Sequence, residues 1–578
     1  MKKNVIVEMH PTAAVAGAAA SSRAFETAAT ASFEAAAVET DVGAPPSFTL
    51  DPAFPPVPMP VLHEADLSDE ASTLESRAFL AMHAFEAPDP EAPPATYLVR
   101  GEIDEEDIAS LQASEGVVQV YSDPTIEPFL VCPGDPAVGT DADVERLLCT
   151  GDLHRAGMDG TGVVVAIVDT GINVRHLQSK GKSPNVDAAN SWTPRPGLVP
   201  GQAPVGHGTM CAYDVMIAAP ACILLDIQLL QSSATGPTPM SGVLSDAVRA
   251  YRHLVDYMSR PRLPGESRSL VVNNSWGMFH PAWDFPPGDP GNYSDNPGHP
   301  FNRIVTELEL AGADILFAAG NCGPDCADGR CQGVTTNAIY GANGSASVLC
   351  VAGVDITKAR VGYSTVGPGR LTHDKPDLSG YTHFLGSGVY PADGGTSAAT
   401  PVVSGVVAAV RSKRPYNSAD STTHPAAVRG LLTSTCEDLG PAGYDLAHGF
   451  GVVNGCALVP RFEPEPPKLP KIDICAVLPR LCSPLPPNIC RLIPQLCRIW
   501  PVPMPPKLPG PGPDPAPPLS ASAFEVQAAL GELDSEHLAF VLGMLHGMDP
   551  TATLIPSGSG RGRGDDATTK KGCGCGGC

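Results

Sequence analysis

The segment from about residue 141 to residue 460 reads as an α/β unit: a mostly parallel twisted sheet with helices on both faces. Three observations predict it. Val163 to Val168 is a continuous apolar run, as expected of a strand covered on both sides. Further short apolar runs alternate with stretches of helical spacing. Several of those runs end in polar or glycine-bearing blocks, at the edge where open α/β sheets present functional side chains.

Taken in order, residues 1–93 mix Ala, Pro, Glu and Ser with few aromatics and no sustained period, so an acidic, disordered leader is expected. Met1-Lys2-Lys3 imitates the start of a secretory signal. Glu8, His10 and Pro11 interrupt the apolar run such a signal needs, so a cytoplasmic location is expected, with secretion as the alternative. Residues 94–140 form a small unit and a junction: a strand over Tyr97 to Arg100, an acidic helix over Asp104 to Ala113, and a strand over Gly116 to Tyr121. Such a unit buries little core alone and should lean on a neighbour.

Within 141–460 the expected strands are Val163 to Val168, Leu270 to Asn273, Ile315 to Ala319 and Val348 to Val354. The expected helices are Ser245 to Met258 and Phe301 to Ala311. Residues 461–520 are rich in Pro and Cys, with a repeat of period 15, Ile474-Cys475 through Leu481-Cys482 and then Ile489-Cys490 through Leu496-Cys497, that fits a stiff spacer or a disulfide-stapled knot. Residues 521–578 hold a short helical segment and a tail ending in Cys573, Cys575 and Cys578. That tail suits a thiol-modified or lipidated end, a metal clasp, or a core peptide like those of ribosomally made natural products.

The totals exclude some classes of partner. Of 62 acidic and 37 basic residues, 26 and 6 lie before residue 151, so that stretch carries −20 of the formal −25. An acidic surface of this kind repels nucleic acid backbones and anionic membranes. No apolar run reaches the roughly eighteen residues of a transmembrane helix. The 17 cysteines are an odd number, which leaves at least one thiol unpaired or paired between molecules.

Asp169-Thr170-Gly171, His207-Gly208-Thr209 and Gly395-Thr396-Ser397 together supply a carboxylate, an imidazole and a hydroxyl. A serine is a weak nucleophile until an imidazole takes its proton and a buried carboxylate holds that imidazole in the right tautomer. Alone, each block has a plainer explanation: an Asp capping a turn, a satisfied histidine, a helix cap. With Asn274-Ser275-Trp276-Gly277 and Ala318-Ala319-Gly320-Asn321, five blocks stand in one order, and the segment resembles the subtilisin family (subtilases) of serine proteases.

The resemblance implies a subtilisin-like fold and a serine endopeptidase: Ser397 the nucleophile, His207 the base and then the acid, Asp169 its orienter, and Asn321 the donor to the oxyanion. Ser275, Trp276, Gly277 and Gly320 would line the substrate, with Trp276 either walling a pocket or sitting in the core. The expected partners are a peptide or protein substrate and the chain's own residues 94–140, which faintly resemble the end of a subtilase prodomain. Self-cleavage is then expected between about Phe129 and Arg146. No cofactor or metal ligand set is called for, and structural calcium is left open. Met210, Tyr213 and Ala398 depart from the family pattern, and Pro401 is expected in the first turn of the helix that follows Ser397.

Among the cysteines, pairs within Cys322, Cys326 and Cys331, the pair Cys436 with Cys456, and the pair Cys132 with Cys149 are candidate disulfides. Zinc held by the first three with Cys350 is a weaker alternative. Three rival functions are weighed. A lone DTG evokes an aspartic protease, but no second copy exists to complete the pair. A dedicated leader-peptide maturation protease would explain the odd tail. A catalytically silent peptide-binding scaffold would need no triad.

Overall fold

In the computed structural model the described residues are 1–17, 19, 38, 43–59, 96–129, 136–231, 240–262 and 269–462. The 15-residue repeat, the helical segment after residue 520, the cysteine tail and Cys132 lie outside them. Among the described residues fifteen strands run in chain order: β1 Lys2–Met9, β2 Thr49–Leu50, β3 Val57–Met59, β4 Thr96–Asp104, β5 Val117–Ser122, β6 Thr125–Pro128, β7 Val164–Val168, β8 Asn185–Val186, β9 Ile223–Ile227, β10 Gly242–Val243, β11 Leu270–Asn274, β12 Trp276–Gly277, β13 Asp314–Ala318, β14 Leu349–Val354 and β15 Leu378–Tyr381.

The main sheet has seven strands in the order β15-β14-β13-β11-β7-β9-β8, every neighbouring pair parallel. The expected α/β class is the observed one. Alternate residues of β7 serve two different cores, as a strand buried on both faces requires. Val164, Ala166 and Val168 pack with the helices Leu244–Ser259 and Pro300–Leu310. Val165 and Ile167 pack instead with the helices His207–Ala218 and Thr396–Lys413. Those last two helices approach closely because Gly405 has no side chain: a Cβ there would lie 2.4 Å from the Val215 carbonyl oxygen.

The amino-terminal stretch departs from the expected disordered leader. Residues 2–9 form β1, which lies between β4 and β5 in an antiparallel sheet of order β2-β4-β1-β5, with β3 also on β4. Val5, Ile6, Val7 and Met9 are fully buried. Each such side chain contributes up to ~1.5–3 kcal/mol. The run looks weak in sequence because its partners lie some ninety residues or more downstream. The acidic helix is also shorter than expected, a 3-10 turn over Glu105–Asp107 and then Ile108–Gln112.

This small unit leans on the main domain through polar contacts. Glu8, nearly fully buried, accepts two 3.0 Å bonds from Arg303 and one from Tyr121. Arg100 pairs with Asp246 at 3.1 Å. Asp123 accepts from the backbone and the hydroxyl of Ser245, both at 2.8 Å, in the first turn of a helix, where a carboxylate also meets the favourable end of the dipole. Cys149 pairs with Cys456, not with Cys132 or Cys436, and joins the two ends of the main domain. Among the described residues no helix is long and apolar enough to cross a membrane.

Candidate active site

The blocks singled out in sequence converge at the carboxyl edge of the parallel sheet. Asp169 follows β7, Ser275 follows β11, and Gly320-Asn321 follow β13. Gly208 lets the His207–Ala218 helix settle on the end of β7, since a Cβ there would lie 2.7 Å from the Gly171 carbonyl oxygen and 3.1 Å from Asp169 Cβ. The result brings His207 Nδ1 to 2.9 Å from both carboxylate oxygens of Asp169. That partner sets Nδ1 as the protonated nitrogen and leaves the lone pair on Nε2, which has no hydrogen-bond partner among the described residues.

Ser397 is the second residue of the Thr396–Lys413 helix. Its hydroxyl donates to the Ser275 carbonyl at 2.9 Å and not to His207. Pro401 stands in the second turn of that helix, not the first, and its missing N–H leaves the Ser397 carbonyl without its helical donor. Ser275 Oγ at 3.0 Å and the Cys211 thiol at 3.7 Å supply that carbonyl instead. Nothing in the sequence reading pointed to Cys211, one helical turn beyond His207, where it also lies 3.7 Å from Asp169 Oδ2. Burial pushes the thiol far above its ordinary pKa, so it sits there as a neutral packing group. Asp169, His207 and Cys211 are near enough to one another to ligate an ion, but the carboxylate is already committed to the imidazole.

Asn321 is held by its own oxygen, which accepts from Thr396 N at 3.0 Å and Thr396 Oγ1 at 3.1 Å. Its amide is thereby aimed outward and donates to the carbonyl of Phe129 at 2.8 Å. Phe129 N in turn donates to the Ser275 carbonyl at 3.1 Å. Just before it, β6 pairs antiparallel with β12 on one side, Gly277 opposite Glu127 and Trp276 opposite Pro128, and with β10 on the other. The 125–129 strand thus fills a cleft between two segments of the main domain. Asp169, His207 and Ser397 beneath it are fully buried.

The Phe129 ring enters a pocket walled by Gly277, Gly320 and Phe279, whose ring meets it edge-on at 5.0 Å. Trp276 takes no part in that pocket. It is fully buried, donates to the Val168 carbonyl and packs against Phe301 and Phe317, so of the two roles weighed for it the core is the one it has. Cys322 pairs with Cys331, which consumes two of the four thiols and removes the four-cysteine zinc alternative.

Residues 160–451, half of the chain, match the subtilase family. Subtilisin DY of Bacillus licheniformis is 29% identical over 317 residues, covering 52% of this chain and 92% of the relative. Subtilisin E of Bacillus subtilis (strain 168) is 28% identical over 311 residues, covering 52% and 67%. A subtilisin of Bacillus pumilus is 28% identical over 311 residues, covering 52% and 92%. The sheet, the order of the five blocks and these matches agree: the chain belongs to the subtilase family of serine peptidases.

Proposed function

We propose that the chain is a serine endopeptidase made as a precursor that cuts itself after Phe129. The observation that carries this is the placement of the Phe129 carbonyl on the Asn321 amide, with the Phe129 N–H on Ser275, as the residue before a scissile bond would be held. Ser397 leaves its bond to Ser275 and gives its proton to His207 Nε2 as Oγ attacks the carbonyl carbon. Asp169 steadies the imidazolium, and Asn321 donates to the oxyanion. The imidazolium then protonates the leaving amine, and water releases the acyl enzyme by the same steps in reverse order. Apart from that water, every group used belongs to the chain, so the reaction as proposed calls on no cofactor.

Mass spectrometry and amino-terminal sequencing of the purified protein test this. The wild-type main fragment should begin at Leu130, and Ser397→Ala should remain whole. A processed Ser397→Ala chain, or a wild-type start far from residue 130, refutes the proposal. A fluorophosphonate label on Ser397 separates an active enzyme from a silent peptide-binding scaffold.

A further inference from the structure

We infer that Arg330 gives this protease a preference for an acidic side chain at the third residue before the scissile bond, so that its substrates are peptides carrying Glu or Asp two residues ahead of a bulky aromatic. The inference presupposes the cleavage after Phe129 proposed above. Glu127 occupies that third place. It sits opposite Gly277 in the antiparallel pairing, and although it belongs to a strand lying over a surface cleft it is only 1% exposed. Its carboxylate accepts from Arg330 Nη1 at 2.8 Å.

Arg330 is built into place. It lies in the loop closed by the Cys322–Cys331 disulfide, immediately after the Asn321 that holds the carbonyl. Asp328 takes its Nε and Nη2 at 3.0 and 2.9 Å, which leaves Nη1 directed at the strand. The Asp328 backbone N–H is tied to the Asn321 carbonyl at 2.9 Å, so the loop is anchored beside the reaction centre. The guanidinium lies 3.7 Å from the centroid of Phe279, the same ring that walls the Phe129 pocket. One aromatic side chain therefore supports both the aromatic and the acidic subsites. A basic side chain in place of Glu127 would meet the Arg330 charge at hydrogen-bond range with much of the water excluded, where like charges repel strongly.

A charge-swap cycle in the full chain tests this, read as the rate at which the Phe129–Leu130 bond is cut after refolding. Glu127→Lys and Arg330→Glu should each slow cleavage about tenfold, which corresponds to about 1.4 kcal/mol of barrier. The double variant should be at least about threefold faster than Arg330→Glu alone, since the swapped charges attract again while the bonds to Asp328 stay lost. Unchanged rates in both single variants overturn the inference. Two slow single variants with no recovery in the double overturn it as well, since the losses are then structural. A wild-type chain that is never cut after Phe129 shows instead that the underlying proposal is wrong. On added peptides, the processed enzyme should hydrolyse Ile-Glu-Pro-Phe sequences about tenfold faster in kcat/KM than Ile-Lys-Pro-Phe sequences. Equal rates refute the preference while leaving cleavage after Phe intact.

Discussion

Replacing Asn321 by Ala removes a side chain with two separable duties. Its amide donates at 2.8 Å to the carbonyl that sits where charge would develop, and its oxygen accepts two bonds from Thr396. Loss of the donor should cost about 3–4 kcal/mol of transition-state stabilisation, a fall of 10²–10³ in kcat. Loss of the acceptor leaves a buried Thr396 N–H unpaired, worth about 1–3 kcal/mol of folding stability. Asn321→Asp separates the duties: it keeps an oxygen for Thr396 and places a carboxylate where an amide should donate, so it should be at least as slow as the alanine variant and closer to wild type in stability. The assay is kcat and KM on a peptide ending in Phe before the scissile bond, beside urea unfolding in a Ser397→Ala background to prevent self-digestion. An alanine variant with kcat within tenfold of wild type would refute the oxyanion role, and KM should move far less than kcat.

Two further outcomes follow from the structure. A Cβ on Gly277 would lie 2.5 Å from the Phe129 ring, so Gly277→Ala should overpack the pocket by about 1–3 kcal/mol and lower kcat/KM for Phe relative to Ala before the scissile bond by tenfold or more, read on paired peptides. Burial raises the Asp393 carboxyl to about 6 despite its bonds from Ser387, and burial together with Asp393 raises Asp214 above the usual carboxylate range. A proton on Asp393 favours the folded state fully below the ordinary carboxylate pKa, and that stability is lost as pH rises through 6, at up to about 1.4 kcal/mol per pH unit. Asp393→Asn should flatten the fall in urea stability as pH rises from about 4 to about 6, and an unchanged slope would refute the assignment.

Much of the site was legible because its parts are local. Asp169, His207 and Ser397 each carry their glycines and their strand or helix in the same short block, so the elements that position them are written beside them. Gly208, whose absent side chain lets the histidine helix reach Asp169, is one such neighbour. What escaped depends on partners far away. β1 has no hydrophobic pattern of its own beyond Val5 to Val7 and becomes a central strand only when β4 and β5 reach it. β6 contains Pro128 and alternates weakly, since its bonds are made with the cleft and not with a sheet of its own unit. Arg330 sits in an irregular loop where a charge has no periodicity to betray it. Pro401 shows the same limit at short range: the residue was noted, but its turn depends on where the helix begins, at Thr396 after a Gly395 with φ of +74°.

The acidity of the first 150 residues is also partly explained by position. Glu127 meets Arg330 and Glu8 meets Arg303, so carboxylates of the amino-terminal segment answer guanidiniums on the main domain. Complementary charge of this sort orients a docking surface more than it tightens it, because desolvation consumes most of the attraction. The tightness has another source. A strand tethered to its own cleft acts at high effective concentration, so even a mediocre sequence would occupy the site. The residues around Phe129 therefore cannot be taken as the enzyme's consensus merely because they lie there. The Glu127 to Arg330 contact earns more weight than its neighbours for a different reason: Asp328, the disulfide and Phe279 hold the guanidinium in place from the main domain's side, independently of the strand. A subsite whose shape is kept by its own walls will select among substrates in trans, and a contact maintained only by the tether will not.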